Sequence, residues 1–157
     1  MDASAISQII FLIILLILSA FFSSAETALT TVNKIRMRTL ADDGNKRAER
    51  VLRITDDSHK MLSAILIGNN IVNLSASSLA TTLAIKLWGS VGAGIATGIL
   101  TFLILVFGEI SPKTFATLYA DQISIAYSGI IGFLMKILTP VIFLVNQFSM
   151  GFLFLLI

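Results

Sequence analysis

The sequence predicts an all-α membrane protein with three transmembrane helices, and three observations support this fold class. Of the 157 residues, 56% are hydrophobic and only 13% are charged, with a mean hydropathy of +0.93, whereas a soluble domain is about 25% charged. Three long stretches contain no Lys, Arg, Asp or Glu. These stretches lack the alternating pattern of β-barrel strands, so of the two structures that lipid permits, helices are predicted.

The uncharged stretches define the predicted spans. They contain 23, 25 and 22 residues and cover 3–25, 61–85 and 87–108. A helix needs about 20 apolar residues to cross roughly 30 Å of hydrocarbon. We therefore predict transmembrane helices over about residues 4–30, 60–86 and 90–120. The first is interpreted as an uncleaved span, because Asp2 replaces the basic residues of a signal peptide and the apolar run is too long for one.

The basic residues predict the orientation. Eight of the 11 Lys and Arg residues lie between Lys34 and Lys60, and basic loops remain in the cytoplasm. We expect a cytosolic helical hairpin over about residues 31–58, with a turn at Asp42–Asn45, and the N-terminus outside the cell. The hairpin is interpreted as solvated near anionic lipid headgroups, so the net charge of +2 does not indicate nucleic-acid binding.

The C-terminal quarter is ambiguous from the residues alone. The uncharged segment 137–157 is long enough for a fourth span, but Pro140, Asn146 and Gln147 favour a helix that lies in the membrane interface. The chain ends within an apolar run, so we expect it to be part of a longer protein.

Several chemistries are excluded by composition. The chain has no cysteine, and His59 is its one histidine, which excludes thiolate and multi-histidine metal sites and a cysteine nucleophile. No catalytic motif is present, and we predict that the domain is not an enzyme.

Glu109 is the most informative polar residue, because a charge at membrane depth is costly. Its structural explanation is an ion pair with Lys113, one helical turn later. Pro112, however, lacks the N–H group that would bond the Gly108 carbonyl. A carboxylate beside a freed carbonyl resembles the cation sites that transporters build from broken helices, so we favour function over structure here.

Hydroxyl and amide side chains on the first two spans offer further oxygen ligands. Ser19 and Ser23 share one helix face, although serines alone are expected to bond the carbonyl four residues earlier. Ser63 and Asn70 share a face of the second span, and a second face carries Asn69, Asn73 and Ser77. Such residues also join helices to each other. An oxygen-only set suits magnesium or calcium, and sodium accepts it too.

Three motifs resemble the transmembrane domain of the CorC/cyclin-M (CNNM) magnesium transporters, in the order and spacing of that family. They are Ser19–Ala28 (SAFFSSAETA), Gly68–Asn73 (GNNIVN) and Phe107–Lys113 (FGEISPK). The resemblance implies a homodimer of three-span subunits in the cell (inner) membrane that exports magnesium in exchange for sodium. It also implies juxtamembrane belt helices over about residues 122–157. Family members continue into cytosolic CBS domains, which bind ATP and which this chain does not contain.

The resemblance also implies a cation site. Its ligands map onto Ser19, Ser23, Asn70, Glu109 and the carbonyl of Gly108. Second-rank candidates are Ser63, Ser75 and Asn73, while Pro112 and Lys113 shape the helix at the site. The alternative hypothesis is a structural, dimeric membrane anchor for cytosolic regulatory domains.

Overall fold

Long helices account for the first two predicted spans. The computed structural model describes residues 3–157, and every regular element in that range is helical. Helix α1 covers Ala3–Thr31 and helix α4 covers Ser58–Trp88. Between them lie two short helices, α2 (Lys34–Asp42) and α3 (Lys46–Asp56). The predicted all-α membrane fold is confirmed.

The third predicted span changes its helical register along its length. After a 3₁₀ turn at Gly89–Val91, it consists of α5 (Gly92–Leu103), a π-helical segment (Ile104–Ile110) and α6 (Ser111–Leu118). Gly89 ends α4 with φ of 74°, which glycine adopts without steric cost. A Cβ at Gly92 would collide with the Ala84 carbonyl, so glycine lets α5 turn back closely against α4.

The C-terminal helices are α7 (Ala120–Ile137) and α8 (Thr139–Leu156). By length and composition, three helical stretches can cross a membrane: Ala3–Thr31, Ser58–Leu118 and Thr139–Leu156. The second stretch is 61 residues long and contains two predicted spans, divided at the 3₁₀ turn. Ile142 is the one buried residue of α8, so this helix lies largely outside the bundle, and its placement as a belt helix stays a prediction.

Helix α1 is the centre of the bundle and packs against α4, α6, α7 and the π-helical segment. Phe22, Leu29, Met61 and Ile65 belong to the buried core between α1 and α4. A Cβ at Gly68 would lie 2.5 Å from the Phe22 ring. The glycine of the second motif therefore allows close packing of α4 on α1.

The short helices form a capped hairpin. The side chains of Asn33 and Asn45 accept hydrogen bonds from backbone N–H groups in the first turns of α2 and α3, which is the usual way to satisfy a helix start. Gly44, with φ of 95°, makes the turn between them. Val51 and Ile54 on α3 are buried in the same core as residues of α7, so the hairpin folds onto the bundle.

Candidate cation site

Two buried serine hydroxyls on α1 lack a partner. Ser19 and Ser23 are each 1% exposed, and neither Oγ atom has a hydrogen-bond partner among residues 3–157. The expectation that they bond carbonyls four residues earlier is wrong. Ser24, the next residue, donates instead to the Phe21 carbonyl at 3.0 Å. A buried hydroxyl without a partner costs about 1–3 kcal/mol, a cost that a bound ligand would offset.

The Ser19 hydroxyl lies directly against the third predicted span. Gly108 is the buried residue of the π-helical segment, and a Cβ added there would lie 2.8 Å from Ser19 Oγ. No other residue type fits at this position without displacing the hydroxyl. The first and third sequence motifs therefore meet at this contact.

Pro112 changes the backbone hydrogen-bonding pattern of the π-helical segment. The N–H of Ser111 donates to the carbonyl of Val106, five residues earlier. Pro112 has no N–H and gives no bond to the Phe107 carbonyl, five residues earlier, or to the Gly108 carbonyl, four residues earlier. The predicted disruption is thus a change of register within a continuous helix, not a break. Such π-helical turns occur frequently at functional sites.

The Glu109 carboxylate pairs with Lys113, as its structural explanation predicts. Nζ of Lys113 lies 3.4 Å from Oε2 of Glu109, and the two side chains are 45% and 23% exposed. This distance exceeds the roughly 2.7–2.9 Å of a strong charge-assisted hydrogen bond. The carboxylate has two oxygens and about four lone-pair positions, so this pairing leaves capacity to accept another ligand.

The structure separates the asparagines of α4. Asn69 and Asn73 each have a buried Oδ1 atom that finds no partner in the described chain, whereas Asn70 is exposed. Gly68 faces α1 through Phe22, and successive residues turn by about 100° around a helix. Asn70 consequently lies on the opposite side of α4 and does not join the serines within one chain.

The second-rank candidates are also distributed over α4. Ser75 is exposed and Ser63 is partly buried on the same side as Asn70. Sequence reasoning placed Asn69 on a second face with Asn73 and Ser77 and gave Ser124 no role, yet Ser124 on α7 also has a buried Oγ atom without a described partner. Asn69 directly follows Gly68, the residue that contacts α1. This position in the second motif is the sequence signal that Asn69 lies near α1.

The donor set at this site consists mainly of neutral oxygens. Within residues 3–157, no three His, Cys, Asp or Glu residues group closely enough to hold a metal ion. A cation beside Ser19 and Gly108 would therefore meet mainly hydroxyl and carbonyl oxygens, and Glu109, the residue after Gly108, carries a carboxylate next to this contact in the sequence. Oxygen ligands of this kind suit hard cations.

Comparison with known proteins identifies the family. The family model described as the cyclin M transmembrane N-terminal domain (CNNM) matches residues 10–156. A UPF0053 protein of Haemophilus influenzae is 46% identical over 150 residues, covering 95% of this chain and 36% of that protein. The UPF0053 inner membrane protein YfjD of Escherichia coli is 41% identical over 132 residues, covering 84% of this chain and 31% of that protein.

A plant relative shows the same partial coverage. A chloroplastic DUF21 domain-containing protein of Arabidopsis thaliana is 39% identical over 147 residues, which is 93% of this chain and 22% of that protein. The chain thus spans about a third or less of the length of these curated relatives. It is a membrane protein, and it belongs to the CNNM family as a cyclin M transmembrane domain.

Proposed function

We propose that this domain transports magnesium across the cell (inner) membrane, in the direction of export and coupled to sodium. One observation carries the proposal. Two buried serine hydroxyls without partners lie on α1, and one of them touches the π-helical glycine that precedes the carboxylate of Glu109. An arrangement that only stabilised the fold would satisfy those hydroxyls internally.

The chemistry of magnesium fits these ligands. Magnesium takes about six oxygens at roughly 2.0–2.1 Å and gives up its water reluctantly. Hydroxyl oxygens from Ser19 and Ser23 and the Gly108 carbonyl replace water oxygens, while Glu109 supplies one negative charge. A site with few full charges binds weakly enough to release its ion, which transport requires.

Lys113 serves as the counter-ion of Glu109. Its Nζ lies 3.4 Å from Oε2 of Glu109, and this pairing avoids an isolated charge at membrane depth. A bound divalent cation would repel the Lys113 ammonium group and take its place at the carboxylate. Binding and release of the ion would then alternate with this ion pair.

The assembly we propose is a homodimer with the N-terminus outside and CBS domains following in the full-length protein. The uncovered polar side of α4 supports this assembly. It carries Asn70, with Ser63 on the same side, and polar side chains that face lipid are unfavourable. A second subunit would cover this side and bring Asn70 toward the ion pathway. We also propose that the domain has no enzymatic activity.

The second candidate function is a structural membrane anchor for cytosolic domains. The formed Glu109–Lys113 ion pair favours it, because the pair gives the partly buried carboxylate a role without any ion. The chain also covers only about a third of its bacterial relatives, which leaves long regions to be anchored.

Magnesium titration of the purified protein by calorimetry distinguishes the two functions. Glu109→Gln removes the charge with little change in shape, and we expect it to weaken magnesium binding at least about tenfold, which corresponds to about 1.4 kcal/mol. Glu49→Gln is the control, because it removes the same charge from an exposed position in the first turn of α3, away from the serine cluster. Equal magnesium affinity in the wild type and Glu109→Gln would support the anchor.

A further inference from the structure

A basic groove lies between α3 and α7, away from the serine cluster. Its volume is about 610 Å³. Four cationic side chains line it, Arg50, Arg53, Lys60 and Lys136, against the single carboxylate of Asp57. The lining therefore has a formal net charge of +3.

The cations of this groove are not neutralised by the protein. The ion pairs in the described part of the chain are Arg36–Asp121 and Lys113–Glu109, and neither includes a groove residue. Four like charges around one cavity repel each other and raise the local concentration of anions. An anion bound between them would relieve that repulsion.

A glycine on α7 forms one wall of the groove. A Cβ at Gly129 would lie 2.9 Å from Nη1 of Arg50, so the guanidinium group rests directly on the α7 backbone. At Gly132, an added Cβ would make only an ordinary contact of 3.6 Å with Ile54. Gly129 therefore leaves room for the Arg50 guanidinium beside α7, and this group binds phosphate through two parallel hydrogen bonds.

The groove combines this charge with apolar surface. Phe133, which is 61% exposed, and Met135 line it together with the cations. Lys60 lies in the first turns of α4, at the end of a membrane-spanning helix. A free anion needs no apolar wall, whereas a phospholipid presents a phosphate group and acyl chains together, and membrane proteins bind acidic headgroups in basic pockets between their helices.

We infer that this groove binds the phosphate of an anionic phospholipid headgroup, with an acyl chain along Phe133. This inference rests on the membrane location of the chain and is independent of the proposed magnesium transport. Arg50 and Arg53 hold the phosphate, and Lys60 and Lys136 add further positive charge to the lining.

The test uses the whole chain, purified in neutral detergent and titrated with phosphatidylglycerol or with phosphatidylcholine. Thermal unfolding and native mass spectrometry report the bound lipid. We expect phosphatidylglycerol to bind preferentially, and the double variant Arg50→Gln/Arg53→Gln to weaken its binding by about tenfold or more. The control Lys46→Gln/Arg47→Gln removes the same charge from exposed positions of α3 outside the groove and should retain nearly all of the binding.

A second pair of variants tests the geometry without changing charge. Gly129→Ala displaces the Arg50 guanidinium and should weaken phosphatidylglycerol binding several-fold, whereas Gly132→Ala should leave it unchanged. Equal losses in the groove and control double variants would overturn the inference, because diffuse surface charge would then suffice. Equal stabilisation by inorganic phosphate or glycerol 1-phosphate would assign the groove to a free anion and likewise overturn it.

Discussion

The hydroxyl of Ser19 on α1 lies against the backbone of Gly108 in the π-helical segment, so closely that a methyl group at Gly108 would come within 2.8 Å of it. This contact joins the first and third sequence motifs. It also explains why glycine stands immediately before Glu109. The candidate site depends on this close approach between two helices.

Gly108→Ala is expected to destabilise the protein by about 1–3 kcal/mol, because the added methyl group overpacks a tight contact. It should also weaken magnesium binding by displacing the Ser19 hydroxyl. Gly151→Ala is the control, since a Cβ at Gly151 meets nothing within 4 Å. Thermal unfolding in detergent and calorimetric titration measure the two effects, and a Gly108→Ala protein indistinguishable from the control would rule out the contact.

Lys113→Gln is expected to tighten magnesium binding several-fold. The substitution removes the ammonium group that pairs with Glu109, and a divalent ion then meets no like-charged competitor. Lys113→Arg keeps the positive charge and should bind magnesium as the wild type does. Weaker binding by the Lys113→Gln protein would show that the lysine is not a competing counter-ion.

Asp121 joins α7 to the hairpin, and its loss should loosen α2. Its carboxylate accepts the N–H of Asn33 at 2.9 Å and Nη1 of Arg36 at 3.0 Å. We expect Asp121→Ala to cost about 1–2 kcal/mol, measured by thermal unfolding and by faster amide exchange in α2. Asp121→Asn keeps an acceptor for the Asn33 N–H and should cost less, so a larger loss in this variant than in Asp121→Ala would contradict the assignment.

The boundaries of the long helices follow from charge spacing. The predicted spans 4–30 and 60–86 agree closely with the helices Ala3–Thr31 and Ser58–Trp88. They agree because charged residues and turn formers mark the ends of the apolar runs. The hairpin is equally visible in the sequence, since Asp43 and Gly44 make a turn between two segments with apolar faces. Local chemistry alone determines these features.

The candidate site depends on contacts between helices, which local patterns do not reveal. The rule that a membrane serine bonds the carbonyl one turn earlier holds for neither Ser19 nor Ser23. The π-helical register around Gly108 has two causes. One is local, because Pro112 lacks an N–H group, and the other is the packing of Gly108 on α1. Asn69 and Asn70 are adjacent in the sequence, but only Asn69 is turned inward. The contact of Gly68 with Phe22 sets the rotation of α4 that produces this difference.

The central claim is that the partnerless hydroxyls of Ser19 and Ser23 are ion ligands, and a comparison of single serine variants tests it most directly. Ser24→Ala is the matched control, because the Ser24 hydroxyl already bonds the Phe21 carbonyl. We predict that Ser19→Ala and Ser23→Ala each bind magnesium about tenfold more weakly than Ser24→Ala, while the ion-free proteins unfold at equal or higher temperature because a buried unsatisfied group is gone. Magnesium affinity that is the same in all three variants would contradict the claim.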